Sequence, residues 1–166
     1  LAGIKGVGMG AAEAIIRERE ANGPFKGFVD FCERIENSDV NKKTLEALVK
    51  CGAFDFTGIM RGSLFDGIEA AMGYAISMRK DRAAGQASLF EGLGEEGAAG
   101  VHLTDTDLPA GEPWPQRQML AYEKELIGFY VSGHPLLAFS WTLEKYNLTD
   151  LAGFAELPVR NRTRIG

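Results

Sequence analysis

Ile4-Lys5-Gly6-Val7-Gly8-Met9-Gly10-Ala11-Ala12-Glu13-Ala14-Ile15 sets the character of this chain. An apolar residue, a glycine, a second apolar residue and a second glycine are followed by Ala12 and Ile15 at helical spacing. Gly6 and Gly8 permit a tight turn and leave bare backbone where a ligand can come close. Val7, between them, is expected to point inward and pin the turn. Ala12 is small enough to let two helices cross closely. The N–H groups of Gly8, Met9 and Gly10 fall at the start of a helix, where phosphate is the natural partner, and Lys5 stands beside them.

A glycine turn of this spacing between two helices is the pattern of the helix-hairpin-helix DNA-binding motif. Such a site grips the phosphate backbone rather than base edges and needs little net positive charge. That matters because the 166 residues carry a net charge of −5. Six acids between Glu91 and Glu112 (Glu91, Glu95, Glu96, Asp105, Asp107, Glu112), with no Lys or Arg among them, account for that balance. Val40–Arg61 is locally basic through Lys42, Lys43, Lys50 and Arg61, as is the tail Arg160-Asn161-Arg162-Thr163-Arg164. A phosphate-binding face is therefore compatible with the acidic total. Two other readings stay open. Gly6-x-Gly8-x-x-Ala11 fits a loose dinucleotide fingerprint, with Asp30 near the distance needed to meet a ribose, although Lys26–Asp30 makes a poor second strand. The turn could also join two packed helices and hold no ligand.

Further along, helical periodicity dominates. A helix is predicted from about Met9 to Glu20, stopped by Asn22-Gly23-Pro24. Phe25, Phe28 and Phe31 form an aromatic cluster around a short helix near Phe31–Ile35, with Asp30 as its expected N-cap. Asn41 is the expected cap of a second good helix whose stripe is Leu45, Leu48 and Val49, ended by Gly52 in the left-handed region. Leu64, Phe65, Ile68, Ala71, Met72 and Ala75 mark a third helix over about Gly62–Arg82, which Gly67 and Gly73 weaken. Arg82–Pro113 lacks sustained periodicity and reads as a flexible connector, with a short strand at Val101–Leu103. The last helix runs from near Pro115 to Ile127, with Met119, Leu120, Tyr122 and Leu126 apolar, and Glu123 and Glu125 on a charged face. Phe129–Leu136 is a turn-bounded apolar segment, and Trp141–Tyr146 follows it. The class is mainly α. Cys32 and Cys51 are expected to be small core thiols in a reduced cytoplasm. No apolar run reaches membrane-spanning length. With Leu1 in place of Met and a basic end, the chain reads as an excised piece of something longer.

Within the connector, Gln86-Ala87-Ser88-Leu89-Phe90 ends in two large apolar side chains amid polar and acidic sequence. With no core of its own to enter, such a pair is suited to another protein's pocket. Its other reading is a cap on the third helix against the chain's own core.

Taken together, the chain resembles the bacterial DNA polymerase III alpha subunit, a C-family replicative polymerase. The resemblance runs in order through Gly3-Ile4-Lys5-Gly6-Val7-Gly8, Gly23-Pro24-Phe25 with Asp30-Phe31-Cys32-Glu33-Arg34, and Asn41–Asp55 with its Gly52-Ala53-Phe54-Asp55 turn. It continues through Gly85–Phe90 and Glu123–Pro135. It implies a tandem helix-hairpin-helix-type domain, a flexible clamp-binding segment, and a helix leading into an OB barrel beyond this chain. In residues, that is a DNA-binding region over 1–56, a helix over 57–84, clamp peptide and acidic linker over 85–113, a helical segment over 114–139, and the start of the OB connection over 140–166. It further implies that Lys5, Gly6, Val7, Gly8, Met9 and Gly10 meet double-stranded DNA. Gln86, Ala87, Ser88, Leu89 and Phe90 would hold the sliding clamp, the beta subunit, and other replicase subunits would associate with the full-length protein. The palm, with its metal-binding aspartates and their Mg2+, would lie before Leu1, so no cofactor and no catalytic residue is expected here. His102 and His134 are expected to be structural or exposed. An error-prone paralogue of the same family and a stand-alone helix-hairpin-helix repair scaffold are the remaining alternatives.

Overall fold

The computed structural model describes residues 1–36, 38–83 and 102–146. Among these, every regular element is helical: α1 (Met9–Asn22), α2 (Phe28–Arg34), α3 (Lys42–Lys50), α4 (Arg61–Ala83), α5 (Gln116–Leu126) and α6 (Ser140–Lys145), with 3-10 turns at Asp55–Thr57, Asp105–Asp107 and Pro135–Phe139. Lys26–Asp30, the second strand of the dinucleotide reading, forms no strand: Phe28, Val29 and Asp30 open α2. Asp30, which that reading would turn to a ribose, accepts instead from the Lys26 N–H at 2.9 Å and from Arg34 at 3.2 Å.

α3 follows its sequence closely. The Asn41 side chain accepts from the Thr44 N–H at 3.0 Å, satisfying one of the unpaired donors of the first turn. At the other end Gly52 takes φ +83°. Its N–H reaches the Val49 carbonyl and the Ala53 N–H reaches that of Leu48, closing the helix in a Schellman arrangement. Glycine is required there twice over, because a Cβ would fall 2.3 Å from an Arg61 nitrogen.

α4 packs against both α2 and α3. Its buried stripe is Leu64, Ile68, Ala71 and Ala75, successive steps of four, three and four residues on one face. Aromatic rings fill the centre. Phe28 meets Phe54 edge-on at 5.0 Å, and Phe31 meets the same ring at 5.1 Å. Phe28, Leu64, Ala71 and Ala75 have no exposed surface, and Val7, Ala12 and Ile15 join the same core. Both cysteines are buried, and desolvation pushes the Cys32 thiol up to about 12, so it stays protonated. Arg34 closes the α1–α2 connection. It binds Glu18 at 2.9 Å, Asp30 at 3.2 Å and the Gly23 carbonyl at 2.9 Å, and lies 4.5 Å over the Phe25 ring.

The connector departs from its expected character over residues 102–114. No strand forms at His102 or Leu103, and Val101 lies outside the described residues. The segment is laid on the helical body instead. Asp105 accepts from the N–H groups of Phe28 at 2.9 Å and Val29 at 2.7 Å, so it caps α2 from 77 positions away. Asp30, the expected cap, sits inside the first turn of that helix, which begins at Phe28. Gly27 makes room for the arrangement: a Cβ there would lie 2.3 Å from an Asp105 oxygen. The same rule explains two glycines of α4. A Cβ on Gly67 would meet Leu108 at 2.8 Å, and one on Gly62 would meet the Glu112 carbonyl at 2.1 Å. Trp114 then packs between Phe65 and Tyr122.

Candidate functional site

The glycine turn enters α1 with its apolar residue inside and its backbone outside. Val7 is buried, whereas Lys5, Gly6, Gly8, Met9 and Gly10 are exposed. Gly6 takes φ +92°, the left-handed region where a side chain is strained. Gly8 does not need this freedom: as N-cap it has φ −70° and ψ 161°, a conformation open to any residue. What Gly8 and Gly10 supply is bareness, since a Cβ at either would meet nothing within 4 Å. The first backbone bond of α1 runs from the Ala12 N–H to the Gly8 carbonyl at 3.1 Å. The amides of Met9, Gly10 and Ala11 therefore precede the helical ladder and open from the positive end of a 14-residue helix.

Two distant elements hold the turn in place. The Thr44 hydroxyl donates to the Gly6 carbonyl at 3.3 Å from the first turn of α3. From the other side the Lys5 N–H donates to the Leu126 carbonyl at 2.8 Å, satisfying an orphan acceptor at the C-terminal end of α5. The Lys5 ammonium is 73 % exposed and lies 3.9 Å from Glu125, itself 62 % exposed.

The basic character of Val40–Arg61 is largely absorbed by the fold. Lys42 is ion-paired with Glu69. Lys50 lies 4.9 Å over the Phe65 ring and 5.3 Å over that of Tyr122. Arg61 is buried: it holds Asp55 at 2.6 Å, Glu123 at 2.9 Å and the Lys50 carbonyl at 3.2 Å. Lys43 remains exposed on the first turn of α3, one residue from the Thr44 that holds the hairpin.

Glu123 also corrects its expected place on a charged face, being fully buried. One oxygen takes Arg61, and the other accepts from the N–H groups of Val131 at 2.7 Å and Ser132 at 3.0 Å. Burial pushes its carboxyl up, yet the two N–H groups and the guanidinium outweigh this and hold it below the ordinary glutamate range. The sequence carries a signal for this pair. Glu123 falls three residues from Leu120 on the buried side of α5, and Arg61 leads the Leu64–Ile68 stripe.

His134 is exposed, with Nδ1 accepting from the Leu136 N–H at 3.3 Å, and His102 Nδ1 lies 2.8 Å from the Tyr74 hydroxyl. Gln86, Ala87, Ser88, Leu89 and Phe90 lie outside the described residues, as does the basic tail.

Residues 1–8 form turns and no helix, so the bare, outward-facing glycine turn pinned by buried Val7 at the start of α1 matches the hairpin and second helix of a helix-hairpin-helix. The family model described as "Helix-hairpin-helix motif" matches residues 1–64, the span from the turn to the start of α4. The relatives are more specific. DNA polymerase III subunit alpha of Saccharopolyspora erythraea is 38 % identical over 157 residues, covering 92 % of this chain and 13 % of the relative. The protein of the same name from Treponema pallidum is 40 % identical over 82 % of this chain and 11 % of its own length. That from Escherichia coli K12 is 36 % identical over 86 % of this chain and 12 % of its own length. This chain belongs to the DNA polymerase III alpha subunit family. It spans about an eighth of the length of the curated relatives it matches.

Proposed function

We propose that the hairpin binds the phosphate backbone of duplex DNA without regard to base sequence, within a replicative polymerase. The observation that carries this is the exposed glycine turn leading into α1, where Gly8 and Gly10 leave the backbone bare, Val7 turns inward and the Lys5 ammonium is 73 % exposed. Backbone donors at a helix start suit an anion of any base sequence, and they explain how a chain of net charge −5 can still bind DNA. Fluorescence anisotropy with two unrelated duplexes is expected to give equal affinities that fall steeply with salt. Lys5→Ala is expected to lower the slope of log K against log salt by about one phosphate contact. Equal affinity at low and high salt would contradict a phosphate-dominated mode.

The second part of the proposal is a tether. Gln86, Ala87, Ser88, Leu89 and Phe90 would hold the sliding clamp, with Leu89 and Phe90 in an apolar pocket and Gln86 at its rim. Support comes from the peptide itself and from the family to which the chain belongs. Burying Leu and Phe contributes roughly 1.5–3 kcal/mol each before ordering is subtracted, so the peptide alone would bind at a micromolar level, on the order of −8 kcal/mol. DNA held by the hairpin and threaded through the same ring would raise the effective concentration without new contacts. Leu89→Ala with Phe90→Ala is expected to abolish capture on purified clamp while leaving the melting temperature nearly unchanged. Undiminished capture contradicts the tether, and a large fall in melting temperature points to packing within the chain.

DNA-directed DNA polymerisation, with Mg2+ at palm aspartates outside this chain, is the activity we infer for the whole protein. The other replicase subunits and a cytoplasmic location follow from the same inference. None of the described helices is long and apolar enough to cross a membrane.

A further inference from the structure

The end of α5 touches the hairpin at Lys5, the residue whose side chain would meet phosphate. The Lys5 N–H is bonded to the Leu126 carbonyl at 2.8 Å, which fixes the last turn of α5 against the glycine turn. One residue earlier, Glu125 places a carboxylate 3.9 Å from the Lys5 ammonium. Both side chains are mostly exposed, so neither partner is needed to fill the core. The negative end of the α5 dipole falls at the same place.

We propose that Glu125 is a restraint on the DNA affinity of the hairpin: it competes with phosphate for Lys5. The inference rests on the DNA-backbone reading of the hairpin given above. A phosphate approaching Lys5 must displace or outbid the Glu125 carboxylate and remain within a Debye length of it, about 10 Å at 0.1 M salt. The effect is a weakened, more readily released grip, suited to a contact that must slide along DNA. It also accounts for an acid standing beside the hairpin's own lysine, where binding strength alone would favour a neutral side chain.

The test compares Glu125→Gln with Glu20→Gln. Glu20 is an exposed acid near the far end of α1, about 16 Å along the helix from Met9. Both variants change net charge equally, so a difference between them reports position. With a fluorescein-labelled duplex at low salt, Glu125→Gln is expected to bind about 2–5 times tighter than the unaltered chain, and Glu20→Gln to bind as the unaltered chain does. The gain is expected to shrink as salt rises. Helix content by circular dichroism serves as the folding control. If Glu125→Gln binds no tighter than Glu20→Gln while Lys5→Ala still weakens binding, the restraint is overturned and the hairpin reading stands. Failure of the unaltered chain to show salt-dependent binding overturns both.

Discussion

Glu123 and Arg61 tie the helical body to the turn after α5. Arg61 belongs to the start of α4, Glu123 to α5, and the Glu123 carboxylate reaches on to the backbone of Val131 and Ser132. With Arg61 5 % and Glu123 0 % exposed, truncating Glu123 leaves Arg61 with Asp55 alone as its carboxylate partner and takes the acceptor from the Val131 and Ser132 N–H groups. Glu123→Ala is expected to destabilise the fold by about 1–3 kcal/mol, read as a lowered urea midpoint. The pH dependence follows from the direction of the shift. Because the folded carboxyl is held below the ordinary glutamate range, its contribution is complete above that range and is lost as pH falls through the folded value. Glu123→Gln is therefore expected to flatten the acid limb of the stability curve. An unchanged acid limb would show that the stabilising contacts do not depend on the charge. Sequence placed Glu123 on a solvated face because charge usually marks one; the contrary signal was its phase with Leu120.

Among the helices, the ends set by local rules were legible in sequence, and an end completed from afar was not. α3 carries its own cap at Asn41 and its own stop at Gly52, and it forms where its residues say. α2 is too short to stand alone and takes its cap from Asp105, a partner no local pattern names. The stretch 102–114 was opaque for the same reason. Its Pro and acid content resembles a linker, yet its one glycine, Gly111, is a site of close approach to α4, where a Cβ would fall 2.5 Å from the Gly62 backbone. Gly27, Gly62 and Gly67 are the visible trace of this docking, since each lies where a Cβ would strike the segment. Asp105→Ala is expected to lower stability by about 1–2 kcal/mol, and Gly27→Ala to do the same by expelling the Asp105 carboxylate. The double variant is expected to lose little more than either single one, because both remove one interaction. Additive losses in the unfolding midpoints would show that Gly27 and Asp105 act separately.

At the scale of the full chain, the hairpin is shaped by parts of the sequence far from it. Thr44 holds Gly6 and Leu126 holds Lys5, so the ends of α3 and α5 converge on the turn. The turn itself was readable from Gly6, Val7, Gly8 and Ala12, whose spacing left Val7 as the residue to bury. Its supports were not, because the contact between Lys5 and Leu126 spans most of the chain. Nor was the loss of the basic patch, in which Lys42, Lys50 and Arg61 serve the fold rather than a ligand. Among the described residues near the turn, Lys5 and Lys43 stay exposed, and the proposed phosphate site is the start of α1 with Lys5. This makes one substitution especially informative. Met9 is 64 % exposed at the first position of α1, where Glu favours the helix by about 0.3–1 kcal/mol but sets a negative charge on the proposed phosphate site. Met9→Glu is therefore expected to preserve or raise the melting temperature while weakening duplex DNA binding at least tenfold at low salt. Binding equal to that of the unaltered chain would contradict the hairpin as the site of DNA contact.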